Sequence, residues 1–384
     1  VKVFRQIGLL CLCFLLLAGC APNPPLENVA ETPMPQADTP APTDTPAPTD
    51  TPAPAPKTEG FVFQSASLSD WGSMALEADG CLWGWGNNDY GMIGDGTAEN
   101  ALAPVPVLDG VVAVSRSNSH TMAIRSDGSL WGWGCNAEYA VSGDFPPIMN
   151  NPTPRKVLDD VAQVSAGGQF TLALKTDGSL WGWGSNWLGL FGDTEAQQDP
   201  VKLLDDVACL PEVGGYALAI KTDGRLLVWE GNDWRTLLGG VVQASSGYFH
   251  IMAVRADGSL WAWGDNICGQ LGNGKMKTQK NKPVKVMKDV AQVAAGNYFT
   301  MILKTDGSLW SCGGNDLGQL GDGKTAFRRT KVNKVMDDVI SVAASGQHTV
   351  AVKADGSLWA WGANWQGQLG NGETEDCPFP IKIF

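Results

Sequence analysis

An Asp-Gly-x-Leu motif returns seven times along the chain, headed by Asp79, Asp127, Asp177, Asp223, Asp257, Asp306 and Asp355. The intervals lie between 34 and 50 residues. A period of that size marks one supersecondary unit repeated, each copy burying its apolar face against its neighbours. Around each pair the chain alternates, as in Thr171-Leu-Ala-Leu-Lys175 before it and Ser179-Leu-Trp-Gly-Trp183 after it. Two alternating runs joined through Asp-Gly predict a β-hairpin, because Asp and Gly tolerate the positive φ of a tight turn. The 47 glycines and the 17% of charged residues suit such a turn-rich β chain.

Tryptophan stands four residues after the Asp in six copies and six residues after it in six, for example Trp181 and Trp183. Positions two apart on a strand share a face. These residues are therefore read as packing between adjacent sheets, each contributing about 3 kcal/mol on burial. The Lys or Arg two before the Asp is read as a solvated row, and the Asn nine after it as a turn residue bonding its own backbone. A further strand precedes each hairpin (Val161-Ala-Gln-Val164), and a Pro-led strand precedes that one (Pro283-Val-Lys-Val286). Four short strands in seven copies predict an all-β, seven-bladed propeller over residues 61–384. The first copy lacks its Pro-led strand, and the chain ends on Pro380-Ile-Lys-Ile-Phe384. Residues 380–384 are thus expected to complete blade 1 beside residues 61–65 and close the ring.

The N-terminal region reads differently. Residues 1–19 show a basic start, a short apolar run and the ending Leu17-Ala18-Gly19, followed by Cys20. The run is too short to span a membrane and has the form of a secretory signal. The ending resembles the bacterial lipobox, which implies a lipid on Cys20. Residues 20–60 hold 12 of the 23 prolines and near-copies of TPAPTD, the composition of a semi-rigid spacer. The expected molecule is a lipoprotein of the bacterial envelope, facing outside the cytoplasm on a Pro/Thr-rich linker.

The pattern from Gly296 to Gly321 resembles the regulator of chromosome condensation repeat, with Cys312 in place of the second Trp. The resemblance covers essentially all of 61–384. It implies a seven-bladed propeller and the binding of partners. The founding eukaryotic type is a nucleotide exchange factor for a nuclear GTPase, and none of its exchange residues can be placed here. A closer analogy is a secreted bacterial propeller of this repeat type that inhibits β-lactamases through loops on one face.

No nucleophile, acid/base or cofactor cluster stands out in the sequence, so neither catalysis nor a cofactor is expected. A net charge of −13 argues against a nucleic-acid partner. His120, His250 and His348 share their repeat position with Phe170, Phe299 and Tyr216, which favours a structural role over metal binding. The run from Gly318 to Thr325 matches a phosphate loop formally, but a strand is expected after it where that loop needs a helix. The six cysteines beyond the linker replace unrelated repeat residues, which reads as scattered substitutions and not as a disulfide framework, with a single bridge outside the cell left open.

Departures from the repeat point to a site. Trp187 and Trp365 follow the turn Asn of their copies, Tyr90 lies nearby in blade 1, and blade 2 carries Phe145-Pro-Pro147. Blade 4 is short and carries Trp234. These five aromatics are the candidate partner-binding residues of the loop face. The leading reading is a monomeric, non-catalytic scaffold that binds an extracytoplasmic protein. The alternatives are a glycan or cell-wall module, with Trp187, Trp365 and Tyr90 stacking on sugars, and an inhibitor of secreted enzymes. An enzyme or an exchange factor ranks last.

Overall fold

The computed structural model describes residues 61–384 except Asp193, Val213 and Gly231, and leaves out the side chains of Lys280 and Asn281. The signal segment 1–19, Cys20 and the linker to residue 60 lie outside the described residues. The described strands form seven antiparallel four-stranded sheets, each running in chain order from the innermost strand outward. The blades span 63–108, 111–158, 161–204, 207–238, 241–287, 290–336 and 339–382.

The hairpin turns form as the repeat predicts, with a division of labour. Glycine alone takes positive φ, as at Gly128 (80°) and Gly178 (81°). The Asp works through its side chain: Asp177 Oδ1 accepts from the Ser179 backbone N–H at 2.9 Å and from Ser179 Oγ at 2.5 Å. The same pattern holds at Asp127, Asp257, Asp306 and Asp355. Those hydrogen bonds keep the turn carboxylates below their usual pKa.

The two tryptophans of a copy have different surroundings. The second is buried between blades: Trp85, Trp133, Trp183 and Trp361 are fully enclosed. Each donates its indole N–H to a loop carbonyl of the preceding blade, as Trp133 does to Met92 and Trp361 to Gln319. In blades 2, 3, 5, 6 and 7 the first Trp is half-buried on the outer side, its N–H donating to the turn serine, whereas Trp83 of blade 1 is buried and donates to Glu77 Oε2. Arg125, Lys175, Arg255 and Lys353 lie over those rings at 5.3–5.8 Å. The expected solvated row of cations is therefore corrected. Their heads are attracted to the negative ring faces and cover the outer edge of each Trp.

The innermost strands are clipped together. Gln243 accepts from the Val293 N–H and donates to its carbonyl, and Gln292 does the same with Val342 one blade on. A second clip uses the three histidines, all fully buried. His120 Nε2 lies 2.8 Å from Thr171 Oγ1, His250 Nε2 2.9 Å from Thr300 Oγ1, and His348 Nε2 2.9 Å from Ser73 Oγ. Each hydroxyl already donates to a loop carbonyl, so it accepts from the imidazole. Burial pulls all three histidines down to about 3, which keeps them neutral.

Ring closure differs from expectation. Residues 377–382 pair with the third strand of blade 7, with Ala360 opposite Ile381 and Trp359 opposite Lys382. They do not pair in blade 1, whose own fourth strand is Ala101–Leu108. Each Pro-led run follows its hairpin as the outermost strand of the same blade instead of opening the next one. The last blade meets the first through side chains. Phe384 packs on Phe61, Phe63 and Trp83 with ring centroids 4.7–5.7 Å apart. The Phe63 N–H also donates to the Gly356 carbonyl.

Candidate functional site

Strand alternation puts two sets of connections on one face: the short turns after the innermost strands and the long loops after the third strands. The loops owe their shape to the Asn nine after the Asp. Asn364, fully buried, donates to Asn371 Oδ1 and the Glu373 carbonyl and accepts from the Leu369 N–H. Asn88, Asn136, Asn186, Asn266 and Asn315 brace their loops in the same manner. Blade 4 has no such loop, and Trp229 and Trp234 face each other across a short hairpin.

The five candidate aromatics are dispersed around this face. Trp187 is 59% exposed in the blade 3 loop and Trp365 is 44% exposed in the blade 7 loop, with blades 1 and 2 between them. Tyr90 is half-buried. Trp234 is half-buried and packs edge-on against Trp229 at 5.6 Å, as part of the apolar cluster between blades 3 and 4. Phe145 is half-buried with the Arg155 guanidinium over its ring at 5.6 Å. The run from Gly318 to Thr325 is followed by the strand Arg328–Met336, with no helix. The six cysteines beyond the linker are all free thiols.

A second aromatic group rims the mouth of the central channel, and it was not singled out from the sequence. Trp71, Tyr248 and Phe249 are exposed there. Phe249 packs between Tyr248 and Tyr298, at 6.1 and 5.6 Å. Their signal was available. They fill the two variable places of the Gly-x-x-His/Phe motif, which hold Asn118-Ser119 and Gly168-Gln169 in other blades.

Tyr248 links blade 5 to blades 1 and 2. Its hydroxyl donates to Asp70 Oδ2 at 2.9 Å, and Asn118 Nδ2 donates to that oxygen and to the Tyr248 hydroxyl. Burial, and secondly the Asp70 carboxylate, raise the Tyr248 pKa well above the usual phenol range. Beneath this bridge is a recess of about 90 Å³, whose wall includes Arg116 and Glu212. Glu212 is exposed to solvent, yet the surrounding protein desolvates its carboxyl and pushes it up to about 7.

Charge is unevenly spread over the loops. Those of blades 7, 1, 2 and 3 carry acids such as Glu373, Asp376, Asp89, Asp95, Glu138 and Asp144, and no Lys or Arg between their third and fourth strands. The loops of blades 5 and 6 carry Lys275, Lys277 and Lys324.

Two family models, both described as the regulator of chromosome condensation (RCC1) repeat, match this chain. One matches residues 79–124, 257–303, 306–352 and 355–384. The other matches 111–139, 161–186, 241–270, 290–319 and 339–368. Among solved structures, yeast RCC1 (Prp20), recorded bound to Kap60, is similar at 23% identity and a TM-score of 0.73. That match covers 80% of this chain and 85% of the yeast one. Prp20p of Saccharomyces cerevisiae matches at the same identity and TM-score, over 81% and 87% of the two chains. Human WBSCR16 is similar at 21% identity and a TM-score of 0.50, over 84% and 81%.

Proposed function

Because this chain belongs to the regulator of chromosome condensation repeat family, a family of propellers, we propose that it is a non-catalytic recognition scaffold displayed outside the cytoplasm. It binds another protein through the loop face. The observation that carries this reading is the placement of exposed aromatics. Trp71, Trp187, Tyr248, Phe249, Phe327 and Trp365 are all exposed on that face, and Phe379 on an outermost strand is the other exposed aromatic among the described residues. Large aromatic side chains held in water on one face are what a partner's apolar core buries. The acidic loops of blades 7 to 3 favour a partner with basic groups beside its apolar anchors.

The test is capture of envelope and secreted proteins of the source cells on the immobilised chain, beside a Trp187→Ala/Trp365→Ala form. A protein retained by the native chain is expected to bind the double variant at least tenfold more weakly, from the size of interface anchors. Equal retention by both forms removes these tryptophans from the site. Displacement of the retained material by free sugars identifies a glycan module instead.

The display rests on the N-terminal sequence: Cys20 carries the lipid and residues 21–60 space the propeller from the membrane. Cys20→Ser is expected to move the protein out of the membrane fraction, with loss of the lipid mass on intact-protein mass spectrometry. A variant that stays membrane-bound with unchanged mass overturns the anchor.

A further inference from the structure

The loop face is acidic around most of the ring, and the outer side of blades 5 and 6 is the exception. Residues 265–288, the blade 5 loop and the outermost strand after it, hold six lysines against one acid, Asp265. Residues 315–336 of blade 6 hold five lysines and arginines against two acids, and Arg329 is paired with Asp322. Over the same stretch of every other blade, acids equal or outnumber bases. In a chain of net charge −13, this local reversal is a surface that attracts negative charge.

Apolar side chains stand among these cations: Ile267, Met276 and Phe327 are exposed. They belong to one patch, because the blade 5 loop lies along the start of the blade 6 outermost strand, with the Gly274 N–H donating to the Thr330 carbonyl at 2.9 Å. Arg328 Nη1 donates to the Ile267 carbonyl at 3.3 Å, and its guanidinium lies over the Phe327 ring at 5.1 Å. Exposed Lys275 and Lys277 flank Met276, and exposed Lys324 lies shortly before Phe327. The exposure of Ile267 comes at a cost to the fold. In blade 6 its place after the turn Asn belongs to Asp316, whose Oδ1 accepts from Gln319 Nε2 at 3.3 Å. Gln270 is the blade 5 counterpart of Gln319. Its oxygen accepts from the Cys268 N–H, but its Nε2 is buried without a protein partner among the described residues. A buried amide left without an acceptor is destabilising. Blade 5 therefore gives up an acid and some stability for an exposed isoleucine inside a basic patch.

We propose that this patch docks on an anionic phospholipid bilayer, with the lysines and Arg328 at the headgroups and Ile267, Met276 and Phe327 among the outer acyl carbons. Cations draw a protein to such a surface, and apolar side chains then hold it there. A charged polysaccharide would engage the cations and leave the three apolar side chains in water. A bilayer is favoured over an acidic protein because the lipid display inferred above, on which this proposal rests, keeps one within reach. Residues 21–60 extend to only on the order of 100 Å, which holds the patch at a high effective concentration near the membrane. Trp187 and Trp365 lie on loops of other blades and stay free for a protein partner.

The test mixes the full chain with vesicles of equal parts phosphatidylglycerol and phosphatidylcholine, or of phosphatidylcholine alone. Flotation reads binding, and hydrogen exchange reads the patch. Amides at 267–277 and 324–328 are expected to exchange about tenfold more slowly with the anionic vesicles than with the neutral ones. Lys275→Glu/Lys277→Glu is expected to remove that difference. Ile267→Asp is expected to reduce it and also to raise the urea midpoint, since the new carboxylate can accept from Gln270. A failed lipid anchor shows separately, as a chain that floats with the anionic vesicles and not with the neutral ones. Equal exchange with both vesicles, or flotation with neither, overturns the proposal. So does protection that Ile267→Ser/Phe327→Ser leaves unchanged, because the patch then reads charge alone. Equal exchange together with loss of a captured protein partner in the Lys275→Glu/Lys277→Glu form assigns the patch to an acidic protein instead.

Discussion

Gly72→His is expected to cost at least about 3 kcal/mol of stability, and most of that loss is expected to vanish when Arg116 is shortened to Ala in the same chain. Gly72 opens the second strand of blade 1, where blades 2, 5 and 7 have His120, His250 and His348 and blades 3 and 6 have Phe170 and Phe299. A Cβ built on Gly72 would overlap Nη2 and Cζ of Arg116. Arg116 closes the innermost strand of blade 2, where Ala166, Ala295 and Ala344 stand in other blades. So one blade has lost its ring, and the next has grown a long side chain into the vacated slot.

The sizes of the effects follow from what each change leaves behind. Gly72→His alone drives a buried guanidinium from Ser69 and Asn87, and uncompensated buried charges cost about 3–5 kcal/mol. Arg116→Ala alone opens a cavity, but it also removes a charge whose burial is already unfavourable, and a net loss of about 1–2 kcal/mol is expected. In the double variant the imidazole sits one blade from the Thr121 hydroxyl, as His120 sits from Thr171. Urea unfolding of the four proteins should give a favourable coupling of about 3 kcal/mol, the upper end for residues in contact. Simple additivity of the two single changes would show that the slot has not been exchanged.

The repeat was legible because its signals are local. A turn glycine, an Asp capping its own turn and a Trp two residues from another Trp act within a few positions, so the architecture follows from reading one copy well. The membership of the fourth strand was not legible, and the reason is connection length. In blade 1, the whole stretch 87–100 separates the third strand from Ala101–Leu108, while only Asp109 and Gly110 separate that strand from the next blade. Proximity along the chain therefore assigned each Pro-led run to the wrong neighbour. The candidate site was legible in part. Trp187 and Trp365 showed as departures in single columns of the repeat, and their exposure agrees with that signal. The bridge from Tyr248 to Asp70 joins residues 178 apart. Nothing in either residue's surroundings announces that bridge. The exchange between Gly72 and Arg116 was written in two columns at once. Reading it needs the knowledge that a slot in one blade touches the innermost strand of the next.

Removing residues 380–384 should lower the melting temperature by roughly 5–7 °C, and the pattern of the damage should identify the blade they serve. The segment supplies Ile381, Ile383 and Phe384 to the apolar cluster between blades 7 and 1. All three are half-buried, so each contributes about 1 kcal/mol, less than the 1.5–3 of a fully buried side chain. Together with the lost pairing and the Ile383 N–H to Leu358 carbonyl bond, the loss is about 3–5 kcal/mol. For a propeller spanning residues 61–384, an unfolding entropy of about 2.1 cal/mol/K per residue makes each kcal/mol lower the midpoint by roughly 1.5 °C. Amide exchange then separates the two possible closures. With the strand in blade 7, truncation should deprotect amides around 359 and 360, whose partners Lys382 and Ile381 are removed, and leave 101–108 protected through its pairing with the third strand of blade 1. Deprotection of 61–65 with 359 and 360 unchanged would restore closure by a strand shared with blade 1. Phe384→Ala keeps the strand and removes only the ring against Phe61, Phe63 and Trp83. It should lower the midpoint by less than half as much while leaving exchange at 359 and 360 as it was. The strand and the latch are thus separable: pairing completes blade 7, and the terminal aromatic fastens it to blade 1.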